Sequence, residues 1–508
     1  MDKSLNGPVG TTAADMRSSP SHIVYIDPSD ENKIKAKNGI TGKIEFSDTN
    51  SRTTLNNVFK VLSTTGGQVF LKKGTYMMDA AISVGAPSYA SKHINLKGES
   101  RGSTIIQFDS AATPADIIVP WCNFSMDSIT LDGNQRARHL LATGEPIYVS
   151  VNNCHFKNST MISFWTGSVK GEWVTNNYFD NTDYHDQHAT GAVDFALIEN
   201  NYFDRRAIKI QPSSCLTFGG TRNILVRGNV FDRPEKYIVH GISLEAFGTD
   251  YKNVIIDGNV VVNGTISIST DLVTKFSNIN IVNNVLDGGQ IRIYAQSTTD
   301  YDGLLSGINI MNNNITNARQ AGIILVSIDG PVILKNNQIR NSNKDYSSIT
   351  FDKGLISISH AKNIEISGNI LYMTDTTQYA NPFGIKFEYC TNIRCFDNTF
   401  NNLTTNPSVQ FSGTNTNFRV RDNDGYTTNN EGTAVFSGNR YDTDFTISHG
   451  LAVIPDQIQV TPCSNDAKGI YHVSQRNLNS FTIRYASPPP SGKDNIEICW
   501  CASTSSYP

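Results

Sequence analysis

Half of the ten histidines in this 508-residue chain fall between His139 and His240, and the stretch 180–190, DNTDYHDQHAT, is the densest gathering of titratable groups in it. Around it stand Arg205, Arg206, Lys209, Glu245, Arg292 and Tyr294. A base near its working pKa, a fixed cation and an acid together can remove a proton beside a carboxylate. The cation pairs with the carboxylate and makes the neighbouring C–H more acidic, the base takes the proton, and the acid protonates a leaving oxygen. His185 or Lys209 would be the base, Arg205, Arg206 or Arg292 the carboxylate clamp, and Tyr294 or His240 the acid, with Glu245 beside them. A bidentate guanidinium suits the clamp. Hydrolysis is the rival chemistry and asks for two carboxyls about 5 Å apart for retention or about 6.5–9.5 Å for inversion. Asp183, Asp186, Asp194 and Glu245 are its candidates. The alternation Asp180, Asp183, Asp186 could hold Ca2+, although aspartates in an Asn-rich turn also serve plain corner bonding. No other cofactor is implied.

Side chains scattered over more than a hundred residues need a scaffold that brings them into line. The composition narrows what that scaffold is. Charged residues make up 17% of the chain, the net charge is −4, and no run of Lys and Arg forms a polybasic patch, which argues against a nucleic-acid partner. No stretch approaches the roughly 18 apolar residues of a membrane helix, and the first residues, MDKSLNGPVGTTAADM, lack the apolar core of a secretory signal. Cys122, Cys154, Cys215, Cys390, Cys395, Cys463, Cys499 and Cys501 include no CxxC pair and no zinc-like spacing, so buried free thiols are expected.

A short motif repeats down the middle of the chain: Asn or Gly, then Asn, one variable residue and an apolar one. Its second residue falls at Asn153, Asn177, Asn201, Asn229, Asn259, Asn284, Asn313, Asn337, Asn369, Asn398 and, more weakly, Asn423, at spacings of 24 to 32 residues. Alternating strands precede the pair, as in NVIIDGN at 253–259 and KNIEISGN at 362–369, and others follow it, as in AIKIQ at 207–211 and QIRIY at 290–294. A period of this length with short strands and no amphipathic helix excludes helical solenoids and leaves a parallel β-helix, each coil stacking on the next at about 4.8 Å. Asn suits the corner because it tolerates the left-handed conformation, and stacked Asn side chains can form an amide ladder.

Aligning the strand after each corner gives two outward columns. One reads Ser163, His185, Lys209, Ser243, Ser267 and Arg292 and continues through Ile324, Ser357 and Lys386. The next reads Trp165, Gln187, Gln211, Glu245, Ser269 and Tyr294 and continues through Val326, Ser359 and Glu388. Catalytic candidates are therefore His185, Lys209, Glu245, Arg292, Tyr294 and His240, and substrate-binding candidates are Trp165, Gln187, Arg205, Arg206 and Gln211.

The segment TLNNVFKVLSTTGGQVFLKKGTYMM, followed by HINLKGESRGSTIIQF, puts Leu55, Val58, Phe59 and Leu62 on one helical face, with Gly66 and Gly67 stopping the helix. Together with the Asn corners it resembles the pectate-lyase-like β-helix superfamily, in which a short helix caps the solenoid. The implied fold is all-β: a right-handed single-stranded parallel β-helix over 51–430 with a capping helix at about 53–64, an N-terminal arm at 1–50, and a C-terminal β-sandwich at 440–508. The last of these, with ISHGLAVIPDQIQVTP, SFTIRY and SGKDNIEICW, looks like modules of tailspike-like proteins; His449 within it reads as structural. The resemblance implies a polysaccharide partner and an extracellular, cell-surface or virion setting, with a homotrimer as the expected assembly. It leaves open a lyase acting on an acidic, uronate-containing polysaccharide, a glycoside hydrolase or C5-epimerase on the same scaffold, and a non-catalytic adhesin stacking sugars on Trp165, Tyr202 and Tyr294.

Overall fold

The computed structural model describes residues 19–143, 147–180, 187–204, 214–220, 222–233, 239–246, 248, 250–271, 273–295, 304–343, 354–374, 383–403 and 408–504. Two compact units divide the chain, Met1–Ile308 and Asn309–Pro508. Between them they carry about 11 turns of parallel β-solenoid.

In the first unit the strand His22–Asp27 pairs antiparallel with Asp30–Asn38 and parallel with Gly67–Leu71, so the N-terminal arm is hydrogen-bonded to the first coil. The helix Ser51–Thr65 follows. The Asn50 side chain accepts from the Thr53 N–H at its start, Leu55, Val58, Phe59 and Leu62 bury its apolar face, and Gly66 ends it at φ 73. A Cβ at Gly66 would stand 2.7 Å from the His93 carbonyl oxygen, so glycine is required there on both counts.

Each later turn has three strands. Tyr251–Asp257, Val260–Val262 and Gly264–Thr270 pair in parallel with Phe276–Val282, Val285–Asp287 and Gln290–Ala295 of the next turn. Alternation sends Val254, Ile256, Ile266 and Ile268 into the core, where they meet Ile279, Ile281, Ile291 and Ile293 one rung on. The short middle strands stack Phe156, Phe179, Phe203 and Phe231 with centroids 4.8 Å apart and nearly parallel planes. Such pairs add about 0.5–1.5 kcal/mol each beyond the area they bury.

The corner between the first and middle strands carries the Asn column. Asn177, Asn201, Asn229 and Asn259 each donate both the backbone N–H and the side-chain amide to the Oδ1 of the next, Asn259 to that of Asn284, at 2.9–3.0 Å. These side chains are buried, and their amides also reach carbonyls of the rung before, as Asn259 does to Val226. Two sequence expectations change here. The left-handed residue is the first of each pair, Asn176, Asn200, Gly228, Gly258 and Asn283, while Asn259 and Asn284 are not left-handed. Asn153 is itself left-handed at φ 50, so Cys154 stands in the ladder position and its N–H donates to Asn177 Oδ1 at 2.8 Å.

The second unit repeats the scheme by itself. Asn313, Asn337, Asn369 and Asn398 form the same ladder, ending on Asn423. Beyond it, two three-stranded antiparallel sheets face each other: Asn429–Gly438, Gly492–Ser503 and Gln457–Pro462 against Asp444–Ser448, Ser480–Tyr485 and Tyr471–Arg476. Phe445, Phe481, Ile483, Ile498 and Trp500 fill the space between them. His449 is buried, accepting from the Leu451 N–H at Nδ1 and bonding the Asn477 carbonyl through Nε2, a purely structural arrangement. The cysteines depart in part from expectation. Cys122, Cys154, Cys215, Cys390 and Cys395 are buried thiols, burial pushing Cys154 and Cys395 up to about 12, but Cys463 and Cys499 form a disulfide and Cys501 is exposed.

Candidate functional site

The third strand of each turn supplies the outward face on which the sequence places its candidates. Register through the first unit aligns Ala142, Trp165, Ala189, Thr217, Ser243, Ser267 and Arg292 in one column and Gly219, Glu245, Ser269 and Tyr294 in the next. Trp165 thus belongs with Arg292, not with Tyr294 as expected. The reason is that the third strands of three turns lie later than the sequence suggests, at Phe164–Thr166, His188–Thr190 and Leu216–Gly219. Loops of unequal length before them shift the alignment.

That shift decides several predicted residues. Gln187 is fully buried, its amide donating to the carbonyls of Phe179 and Asp204 at 3.0 and 2.7 Å, so it holds a corner and does not face a substrate. Ser163 is buried against Ser159 at 2.9 Å. His188 points into the core beside Glu172, 2.6 Å away, and both are wholly buried, with Thr166 and Thr190 donating to the carboxylate. His185, Lys209, Arg205, Arg206 and Gln211 lie outside the described residues, as do Asp183 and Asp186 of the proposed calcium set. Asp180 accepts from or pairs with His155 Nε2 at 2.9 Å.

Four catalytic candidates share this sheet. His240 and Glu245 lie on Val239–Glu245, and Arg292 and Tyr294 lie two rungs on, at Gln290–Ala295, about 10 Å away at the usual strand spacing. The Arg292 guanidinium lies over the Tyr294 ring at 4.6 Å, and its buried Nε has no hydrogen-bond partner among the described residues. Ser243 donates to Glu245 at 3.0 Å. His240 owes its position to a register shift between it and Ile242, which interrupts the in-and-out alternation. Burial, then the charges of Arg233 and Arg292, hold its imidazole down at about 4, and its Nδ1 is buried without a partner among the described residues. At neutral pH this is an uncharged base beside cations.

At the other end of the column Trp165 is 36% exposed, and its indole stacks on the His139 ring at 6.0 Å. His139 Nδ1 is 2.9 Å from Asp116, which Arg138 also approaches at 3.5 Å. Sequence reading missed Asp116 and His139 because they precede their strands, where alternation says nothing. The column is not open throughout: Ser243 and Ser267 are each 1% exposed.

The middle strands carry a second set of polar groups. Asp180, Asp204 and Asp232 occupy one column on consecutive rungs. Tyr178 donates to Asp204 at 2.9 Å and Tyr202 to Asp232 at 2.8 Å, so Tyr202 is held edge-on to a carboxylate. Burial and then Asp204 push the Tyr178 hydroxyl up to about 12.

These features define a parallel β-solenoid with a polar outward strip. Solved structures of similar fold include the A-module of the mannuronan C-5 epimerase AlgE4 of Azotobacter vinelandii, at 15% identity over 73% of this chain and 96% of that one, with a TM-score of 0.41. The tailspike gp61 of Pseudomonas phage phi297 matches at 10% identity over 89% and 91%, TM-score 0.43, and an exopolygalacturonase of Thermotoga maritima at 14% over 57% and 88%, TM-score 0.37. No protein-family model matches the chain, and no curated protein sequence is similar to it.

Proposed function

We propose that this protein acts on an acidic, uronate-containing polysaccharide at the third sheet of its first unit, by proton abstraction next to the carboxylate. The observation that carries the reading is the Arg292 guanidinium, with an unpartnered Nε, within the electrostatic reach of a neutral His240. In the proposed step Arg292 pairs with the uronate carboxylate, and the C5–H bond breaks with its proton going to His240 and its electrons into the carboxylate-stabilised enolate. The enolate electrons then form the C4–C5 double bond as the C4–O bond breaks, and Tyr294 gives its proton to the departing glycosidic oxygen, completing β-elimination; return of a proton to the opposite face of C5 would instead give epimerisation. Trp165 offers an exposed ring for a sugar farther along the column. This use places the protein outside the cell or on a cell or virion surface, with a homotrimer as the proposed assembly.

One observation favours hydrolysis as the second reading. Asp204 and Asp232 are register partners on adjacent rungs, about 4.8 Å apart by strand spacing and close to the retaining separation of about 5–5.5 Å. Incubation with polyuronates and neutral glycans separates the two. Ultraviolet absorbance from an unsaturated uronate means elimination, reducing ends without it mean hydrolysis, and changed C5 stereochemistry without cleavage means epimerisation. Binding with none of these leaves an adhesin and removes the catalytic reading.

A further inference from the structure

The second unit carries a groove of about 500 Å³ on the outer face of the sheet that precedes its Asn corner. Along one side Ile333, Glu365, Arg394 and Arg419 are register partners on four successive strands. Along the other, two residues earlier in each strand, Asn363, Asn392 and Asn417 form a second ladder, Asn392 donating to Asn363 at 2.9 Å and Asn417 to Asn392. All three are left-handed, at φ 58, 57 and 54, which turns their amides along the groove wall.

Arg394 and Arg419 are the groove's unusual feature. Both are exposed and neither makes a hydrogen bond or ion pair among the described residues, whereas Arg421, two residues beyond Arg419, lies 3.5 Å from Asp422. Like charges directly opposite one another on paired strands are destabilising unless an anion lies between them. Two guanidiniums at about 4.8 Å spacing, each able to take a carboxylate in bidentate fashion, match an anion that repeats along the solenoid axis. Glu365 at the same edge offers an acceptor for hydroxyls, the amide wall offers donors and acceptors, and Ile333 gives an apolar contact for a ring face.

We propose that this groove is a carbohydrate-anchoring site for a carboxylate-bearing polysaccharide, separate from the strip of the first unit. It deepens the reading of an acidic glycan partner and involves no chemistry of its own. The test uses the full chain and the double variant Arg394→Ala/Arg419→Ala in calorimetric titration with polygalacturonate, alginate and hyaluronate, with carboxyl-reduced polygalacturonate and polyphosphate as comparators. The expected result is binding to at least one polyuronate that the double variant weakens tenfold or more, with a shallower salt dependence, and no binding to the carboxyl-reduced chain. Equal binding by both proteins, no polyuronate binding by the full chain, or an arginine-dependent preference for polyphosphate would each overturn the assignment. Unfolding curves of the variant should superimpose on those of the parent, since both side chains are exposed. Arg292→Ala is titrated in parallel. Lost turnover with intact binding supports both sites, while arginine-dependent binding with no turnover on any glycan removes the catalytic reading and leaves the anchor standing.

Discussion

Asn177, Asn201, Asn229, Asn259 and Asn284 form one column of the first unit, and Trp165, Ala189, Thr217, Ser243, Ser267 and Arg292 form another. Both repeat at the rung spacing. In the first, each side chain completes hydrogen bonds for its neighbours, so the residue type is dictated by the rung on either side. In the second, side chains point away from the core and their types are not tied to one another, so an indole and a guanidinium can occupy its two ends. Scaffold chemistry lies where identity is forced, and candidate function where it is free.

Breaking the first column should have the largest effect. Asn259→Val removes the amide that donates to the carbonyls of Val226 and Asp257 and to Asn284, and the oxygen that accepts from Asn229, at 3.0–3.2 Å. Each buried group left unsatisfied costs about 1–3 kcal/mol, so a loss of about 3 kcal/mol or more is expected in urea denaturation. A loss under about 1 kcal/mol would show that the ladder is a consequence of stacking and not a support of it.

The functional strip can be tested through pH. His240 titrates at about 4 in the folded protein against 6.5 for the free group. Between those values the unfolded chain binds a proton that the folded chain does not, so stability falls as pH drops from about 6.5 to about 4 and is unaffected above that window. The full difference is on the order of 3 kcal/mol. His240→Asn should flatten this dependence, as read by denaturation at neutral and at acidic pH. If neutral His240 is the base, turnover should also hold down to about pH 4 and fail below it.

At Arg292 the expectation concerns rate. Arg292→Ala should lower kcat on the responsive polyuronate by about 10²-fold, which is about 2.7 kcal/mol. Stability should change by no more than about 1 kcal/mol, the usual scale of a cation–π contact such as the one with Tyr294. Full turnover in this variant would move the search to Asp204 and Asp232.

How far each column could be read from sequence follows from the same contrast. The Asn pairs and the alternating strands before them announce the solenoid, because every turn repeats the same bonding problem at the same corner. The helix at 51–65 is legible from its apolar face and its glycine stop. Glu245, Arg292 and Tyr294 fall where alternation puts them, and for Arg292 and Tyr294 only Gly288 and Gly289 separate their strand from Val285–Asp287. Gln187 and Ser163 do not, because longer loops precede their strands and no hydrogen-bond rule fixes loop length. The ladder position of the first copy stands one residue later than the motif suggests, at Cys154, since NNCHF looks like NNYFD while the core stack aligns Phe156 with Phe179.

The finest test separates two adjacent asparagines. Asn283 is left-handed at φ 57 and exposed, donating to Asp257 at 2.8 Å, whereas Asn284 is buried in the ladder, where its Oδ1 accepts from Asn259. The neighbouring turns place Gly228 and Gly258, both at φ 63, where Asn283 stands. Backbone conformation and not the side chain is therefore what this position demands. Asn283→Gly should shift stability by about 0.5 kcal/mol or less, while Asn283→Val should cost about 1–2 kcal/mol through left-handed strain on a β-branched residue. Thermal unfolding of the two variants reads the difference directly. If glycine proves as costly as valine, the bond to Asp257 carries the corner, and the division between a conformational first residue and a hydrogen-bonding second one fails.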